Sequence, residues 1–349
     1  MNEKKLELLM DGTVIPAHPL ALTSDRKIHE RYQRGLTRYY MDAGAGGIAV
    51  GVHTTQFEIR DPGIALYEPV LRMAAEEVAS SRLTRPFLKI AGVCGDTPQA
   101  IREADTALGL GYDMALLSMG GLAGHTEPQL LKRAERISRI IPVFGFYLQP
   151  SVGGRVLSFE FWKEFAQIPR VHAIKMAPFN RYQTLDVARA VAHSPRRDEI
   201  ALYTGNDDNI IVDLLTAYRF NINGRMVEKR IVGGLLGHWA VWTSKAVELL
   251  GAMKAQRNHE TVSTDWLTTN AQVTDANAVI FDAKNNFQGC IPGIHEILRR
   301  QGLMENILCL NPNETLSPGQ AEEIGRICRD YPHLHDDSFV KANISKWVG

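Results

Sequence analysis

The chain shows no excess of either charge. Its 349 residues include 39 Lys and Arg against 39 Asp and Glu, so the formal net charge is zero. That balance leaves no electrostatic footprint for nucleic acid or for an anionic membrane. Apolar runs approaching the roughly 18 residues of a membrane helix are also missing. The N-terminus, Met1-Asn2-Glu3-Lys4-Lys5-Leu6-Glu7-Leu8-Leu9-Met10-Asp11, breaks its apolar stretch with charge, so neither signal peptide nor anchor is expected. Only four cysteines occur, Cys94, Cys290, Cys309 and Cys328, with no CxxC pair and no framework spacing. Reduced thiols in a cytoplasmic protein are the simplest reading. The sequons at Asn313 and Asn343 carry no weight without a secretory signal. His333-Leu334-His335-Asp336-Asp337 sets ligands in a row but on no common helical face, and no metal site is expected. No glycine-rich phosphate turn follows the first strand. Gly44-Ala45-Gly46-Gly47 ends a helix and precedes a strand, which reads as a helix stop.

What the chain does have is alternation, and a hydrophobic content of 45%, enough for a packed core. Short apolar runs begin near Thr13, Gly47, Phe87, Met114, Val143, Val171, Ile200 and Arg230, each bounded by Gly, Pro or polar residues. Between them lie amphipathic segments of helical length, at 26–43, 65–80, 98–110, 127–139, 159–167, 183–192, 209–219 and 239–255. Asp96-Thr97-Pro98 and Thr126-Glu127-Pro128 are typical helix starts, with a capping side chain and proline in the first turn. Eight strand–helix units in about 240 residues fit a (β/α)8 TIM barrel in count and length. An open doubly wound sheet remains compatible with the periodicity but lacks its phosphate turn. After residue 255 the alternation stops, and 264–283, 291–302 and 317–330 look helical. The expected organisation is therefore a barrel over 1–256 and a C-terminal helical extension over 257–349 packed against it.

In such a barrel the chemistry sits at the C-terminal ends of the strands. Those ends carry His18, then His53-Thr54-Thr55-Gln56, Ser118-Met119-Gly120-Gly121, Tyr147-Leu148-Gln149-Pro150, Lys175, Thr204-Gly205-Asn206-Asp207-Asp208, and Gly233-Gly234. Lys175 lies in Val171-His172-Ala173-Ile174-Lys175-Met176-Ala177-Pro178, an apolar strand where burial would lower the amine's pKa. A neutral amine is the nucleophile a Schiff-base enzyme requires. The plain alternative is a strand-end lysine that snorkels to water. Lys89, also in an apolar run, is a rival amine without a matching partner.

These residues together resemble the dihydrodipicolinate synthase / N-acetylneuraminate lyase family of class I aldolases. Lys175 is similar to that family's Schiff-base lysine. Tyr147, 28 residues earlier, looks like its Tyr-Asn-x-Pro tyrosine. Gly51 with Thr54-Thr55 resembles the Gly-Thr-Thr-Gly-Glu turn, offset by two residues, so His53, Thr54 and Thr55 compete for the carboxylate. Gly205-Asn206-Asp207-Asp208 resembles the Ser-Gly-Asp-Asp turn after the seventh strand. The resemblance implies a lyase forming a lysine Schiff base with pyruvate or another 2-oxo acid, with Tyr147 relaying protons. It further implies His53, Thr54, Thr55 and Gly205 at the substrate, no cofactor beyond the covalent substrate, and a homotetramer. Two departures stand out. No arginine directly follows Tyr-x-x-Pro, where Val152-Gly153-Gly154 precede Arg155, and no tyrosine pair follows the fourth strand. Both argue against the lysine-biosynthetic reaction, because a bidentate Arg–carboxylate clamp is not replaced by valine. Two other functions are compatible with the sequence. One is a phosphate-binding barrel enzyme acting on a sugar phosphate through Ile231-Val232-Gly233-Gly234-Leu235-Leu236-Gly237, the other a non-catalytic binding barrel.

Overall fold

Nine strands and thirteen α-helices alternate along the chain in the computed structural model, which describes residues 1–257 and 259–349. The strands are β1 (Val14–Pro16), β2 (Gly47–Val50), β3 (Leu88–Val93), β4 (Met114–Ser118), β5 (Val143–Leu148), β6 (Val171–Ala177), β7 (Ala201–Thr204), β8 (Ala217–Ile222) and β9 (Arg225–Leu236). Helices α1 (Glu3–Asp11), α2 (Glu30–Asp42), α3 (Tyr67–Ser80), α4 (Thr97–Gly109), α5 (Glu127–Ile140), α6 (Phe159–Phe165), α7 (Arg181–His193), α8 (Ile210–Leu215) and α9 (Thr243–Gln256) run among them. Four more follow: α10 (Asp265–Ile280), α11 (Cys290–Arg300), α12 (Gln320–Asp330) and α13 (Asp337–Val348).

Eight of the strands pair in parallel in the order β1-β9-β7-β6-β5-β4-β3-β2. The ring closes where Ala17 bridges Ala49 and the His18 N–H donates to Ala49 O at 2.8 Å. This is the (β/α)8 barrel expected from the alternation. Its strands are covered on both faces, which is why they read as near-continuous apolar runs. Side chains divide by period two. Phe144, Phe146 and Leu148 of β5 fill the interior with Ile15, Leu88, Ile90, Leu116 and Tyr203, while Val143 and Tyr147 pack outward under the helices.

Helix α1, not anticipated from the sequence, closes the N-terminal mouth. Its cap Asn2 accepts the Lys5 N–H at 3.0 Å, Leu9 packs into the interior cluster, and Tyr203 donates its hydroxyl to Leu9 O at 2.9 Å. Lys5 anchors it to Asp113 at 2.8 Å. Among the described residues α1 thus covers the N-terminal mouth of the barrel.

The segment 209–219 is helical only to Leu215, and β8 then forms an antiparallel hairpin with the first half of β9. Asn223 (φ 50°) and Gly224 (φ 80°) make its two-residue turn, the left-handed pair such hairpins favour. The second half of β9 is the barrel's eighth strand. Beyond residue 257, α10 lies against α8, and α13, also unanticipated, lies against α2. There Trp347 donates its indole N–H to Asp42 at 2.7 Å and Arg38 donates to Trp347 O at 2.8 Å.

Candidate active site

Alternation along β6 turns Lys175 inward with Ala173 and Ala177. Its register partners are Phe146 on β5 and Tyr203 on β7, which also face the interior. Above them, at the C-terminal mouth, lies a cavity of about 560 Å³. Ala17, Val52, His53, Thr54, Leu148, Gly205, Asp207, Phe281 and Phe287 complete much of its wall. Lys175 is only 8% exposed, and its amine lies 4.4 Å from the Phe146 ring centroid. Among the described residues no hydrogen bond or ion pair occupies that amine. Burial lowers its pKa, and the nearby Asp207 carboxylate opposes the shift.

Asp207 is the site residue the sequence reading underweighted. It is buried in the cavity wall, and burial raises its carboxyl well above the usual range against the opposing effects of the His238 N–H and Lys175. Its side chain accepts one hydrogen bond, from the His238 backbone N–H at 3.0 Å. Its own backbone carbonyl is held by Asn277 of α10 at 2.7 Å, and that of Asp208 by Thr274 at 2.8 Å. The Gly-Asn-Asp-Asp sequence after the seventh strand was the available signal.

Beneath this loop is a buried network. Asp213 on α8 accepts from Arg181 at 2.5 Å, Thr204 at 2.7 Å, Asn206 at 2.9 Å and Asn209 at 3.0 Å. Asn206 in turn accepts the Phe179 N–H at 3.1 Å, tying the ends of β6 and β7 together.

Gly205 serves by its missing side chain. A Cβ there would fall 2.4 Å from Lys175 Cε and 2.8 Å from Ala177 Cβ. Gly205→Ala is expected to displace the amine and slow covalent capture of a 2-oxo acid by about 100-fold, the scale of a 1 Å misplacement. Capture rates of the two proteins, compared after confirming equal circular dichroism, test this.

The three strand-2 candidates separate. Thr55 donates its hydroxyl to His18 O at 2.7 Å and accepts from Gly51 N–H at 3.0 Å and Val52 N–H at 3.2 Å. It builds the turn and does not line the cavity. Thr54 and His53 do line it. His53 is pushed down to about 4 by burial and then by Lys175, so its ring is neutral near pH 7 and can offer a hydrogen bond but no charge. His18 is fully buried behind the turn, with its ring nitrogens 2.8 Å from Pro19 O and 2.9 Å from Thr37 Oγ1.

No known family profile and no curated protein matches the chain. Solved structures do. Dihydrodipicolinate synthase from Oceanobacillus iheyensis superposes with a TM-score of 0.73 at 17% identity, covering 94% of this chain and 99% of that one. N-acetylneuraminate lyase from Fusobacterium nucleatum, complexed with pyruvate, gives 0.70 at 17% identity and covers 93% and 98%. A prophage protein from E. coli K12 of the dihydrodipicolinic acid synthase family, also with pyruvate, gives 0.74 at 15% identity and covers 92% and 98%. This chain has the dihydrodipicolinate synthase fold.

Within that fold the place expected for Tyr147 is corrected, and the other sequence candidates find theirs. Tyr147 does not reach the cavity. It pairs with Met176, one residue beyond the Phe146–Lys175 pair, and therefore points outward. Its ring packs on Trp162 at 5.1 Å between centroids, and its hydroxyl lies 3.3 Å from both Leu157 O and Leu157 N. Arg155 is spent on the carbonyls of Leu122 and His125, at 3.0 and 2.9 Å. Lys89, the rival amine, donates to Leu110 O at 3.3 Å beside Asp113, at the opposite end of the barrel. Of the segment 231–237, Gly237 lines the cavity, whereas Gly233 and Gly234 are packed into the barrel wall. A Cβ on Gly233 would meet Thr13 backbone at 2.5 Å, and one on Gly234 the Trp239 ring at 2.5 Å. Both are filled by packing.

The cavity opens through His53, Val152 and Phe287 into an outer basin of about 1180 Å³. The carboxamides of Asn285, Asn286, Gln288, Asn311 and Asn313 and the carboxylates of Glu58 and Glu314 line it, with no Lys or Arg among the described residues there. Among the described residues lining the cavity and the basin, no arginine takes the place of the missing one.

Proposed function

We propose that this protein is a class I lyase that captures pyruvate or another 2-oxo acid as a Schiff base on Lys175 and makes or breaks a bond one carbon away. The observation that carries the reading is an unpartnered amine, lowered in pKa by burial, facing a cavity at the C-terminal mouth of the barrel. Burial weakens the amine's hold on its proton, enlarging the share with a free pair on nitrogen to attack the carbonyl. The iminium that follows draws electrons from the adjacent carbon, which permits aldol cleavage, aldol addition or loss of water. His53, and the Thr54 hydroxyl on giving up its 3.3 Å bond to His18 O, supply neutral donors for the carboxylate of the bound acid. Such a donor set orients the carbonyl near the amine without neutralising the acid's charge. The pyruvate in two proteins of the same fold supports the substrate class. The chemistry needs no cofactor beyond the substrate itself.

The expected result of incubating the protein with pyruvate and reducing with borohydride is one covalent adduct, located at Lys175 by peptide mass. An adduct on Lys89, or none with any of several 2-oxo acids, would overturn the reading.

A further inference from the structure

A Schiff-base lyase must move protons at the captured carbonyl, and the residue the sequence offered for that work, Tyr147, faces the helix layer. The titratable groups that do line the cavity with Lys175 are His53, Asp207 and Cys290. We infer that Asp207 is the proton-transfer group of this site, donating to the carbonyl oxygen as Lys175 attacks and again as water departs. The inference rests on the Schiff-base reading given above.

The geometry supports it in three ways. First, Asp207 shares the cavity wall with Lys175, yet no ion pair within 4.0 Å joins them. Amine and carboxyl are therefore not locked together in a direct ion pair and both face the same cavity. Second, one carboxyl oxygen is fixed by the His238 N–H at 3.0 Å, and among the described residues no other side-chain or backbone group bonds the carboxyl. Third, the backbone carbonyls of Asp207 and Asp208 are clamped by Asn277 and Thr274, so the carboxyl is held in place before substrate arrives.

The proton count closes. Neutral Lys175 forms an N–C bond as the carbonyl π bond breaks, and protonated Asp207 gives its proton to the oxygen. The carboxylate then takes a proton from the attached nitrogen, leaving a neutral carbinolamine. Asp207 returns that proton to the hydroxyl, the C–O bond breaks, and water leaves. The products are iminium, water and Asp207 carboxylate, one positive and one negative charge from a neutral amine and a neutral carboxyl, with the substrate's own carboxylate unchanged. The two charges form side by side in the same cavity.

Other groups near the pair do not compete for this proton. His53 and His238 are pushed down to about 4 by burial, Cys290 is raised by burial, and Asp208, also raised by burial against the pull of Arg181 at 3.5 Å, does not line the cavity. Adduct formation should therefore follow a bell-shaped pH profile. It fails on the acid side when the pair holds two protons and on the alkaline side when it holds none. Burial moves both limbs inward, the acid limb above the ordinary carboxyl range and the alkaline limb below the ordinary lysine range.

The test is the rate of borohydride-trapped pyruvate adduct in wild type, Asp207→Asn and Tyr147→Phe across pH. Asparagine can still accept the His238 N–H, so the loop has its anchor. The expected result is a loss of about 10²–10⁴-fold in Asp207→Asn, with the bell reduced to a single rise with pH, and a Tyr147→Phe rate within about threefold of wild type at this scale. A wild-type adduct accompanied by an undiminished Asp207→Asn rate sinks the assignment while leaving the Schiff base standing. If Asp207→Asn does not fold, the wild-type profile decides, and a single rise without an alkaline limb overturns the proposal. No wild-type adduct with pyruvate or any other 2-oxo acid removes both readings together.

Discussion

Replacing Lys175 by methionine is expected to abolish adduct formation while making the folded protein more stable. Methionine keeps most of the side chain's volume against Phe146 and Tyr203 and removes the amine. In the wild type that amine is pushed down by burial from the lysine range it has in the unfolded chain. The sign follows from linkage. A base whose folded value is depressed binds its proton more weakly when folded, so it destabilises the fold at every pH below its unfolded value. The penalty is full below the folded value and fades as pH rises to the ordinary lysine range. Removing the group should return on the order of 1–3 kcal/mol near neutral pH, since each tenfold weakening of proton binding on folding corresponds to about 1.4 kcal/mol. Asp207 loses its cationic neighbour in this variant, and burial then keeps it protonated, so no bare charge is stranded at pH 7. As pH rises the gain should shrink, first because Asp207 begins to ionise and then because the wild-type lysine no longer costs anything. Urea unfolding at several pH values measures this directly. A variant less stable than wild type at pH 7 would mean that Lys175 is a structural cation, and the case for a strained nucleophile would fall with it. Such an exchange of stability for reactivity is common where a site needs a group its surroundings disfavour.

The barrel was legible because both of its signals are local. Eight apolar runs bounded by Gly, Pro or polar residues, and the amphipathic segments between them, follow from covering each strand on two faces. Lys175 was legible for the same reason, as one charge in an otherwise apolar strand. Tyr147 was not, and the cause is physical. A spacing of 28 residues gives a distance along the chain, whereas the face a strand residue occupies depends on register. Between β5 and β6 the pairing steps from Val143–Val171 to Phe144–Ala173, leaving His172 extra. Phe146 is thereby set opposite Lys175, and Tyr147 turns to Trp162. A count of residues cannot see that irregularity. Thr55 shows a second limit. Its hydroxyl is consumed by the turn that presents Thr54, and the sequence does not distinguish a threonine that builds a loop from one that uses it. The hairpin at Asn223-Gly224 is a different kind of miss, since its turn residues carry the signal and the helical pattern before them obscured it. Asp207 lay within a recognised turn, but its weight came from Lys175 standing across the cavity, which only the folded barrel reveals.

The largest expected effect on stability belongs to a residue outside the cavity. Asp213 is fully buried and accepts hydrogen bonds from four side chains, Arg181, Thr204, Asn206 and Asn209. Alanine there strands the Thr204 hydroxyl, leaves the Asn206 carboxamide with only its 3.2 Å bond to Thr184, both residues being fully buried, and leaves Arg181 with only the longer contact to Asp208. Arg181 is 41% exposed and can turn to water, so the cost is that of orphaning buried neutral donors, about 1–3 kcal/mol each. The chemical consequence should be separable from that loss. Asn206 links the end of β6 to the loop carrying Gly205 and Asp207, so slack in the network moves the proton-transfer carboxyl relative to Lys175. On its other side the loop stays pinned to α10 by Asn277 and Thr274, which should let Asp213→Ala remain folded at low temperature. Under those conditions the Asp213→Ala protein should trap pyruvate more slowly than wild type but keep the bell-shaped profile, because the titrating pair is intact. Asp213→Asn, which preserves an acceptor for part of the network, should recover some of both losses. Urea unfolding of the three proteins, with adduct rates measured in the cold, checks the argument. A melt within about 1 kcal/mol of wild type would show that the four contacts are slack. A lost alkaline limb would instead place Asp213 in the chemistry rather than beneath it.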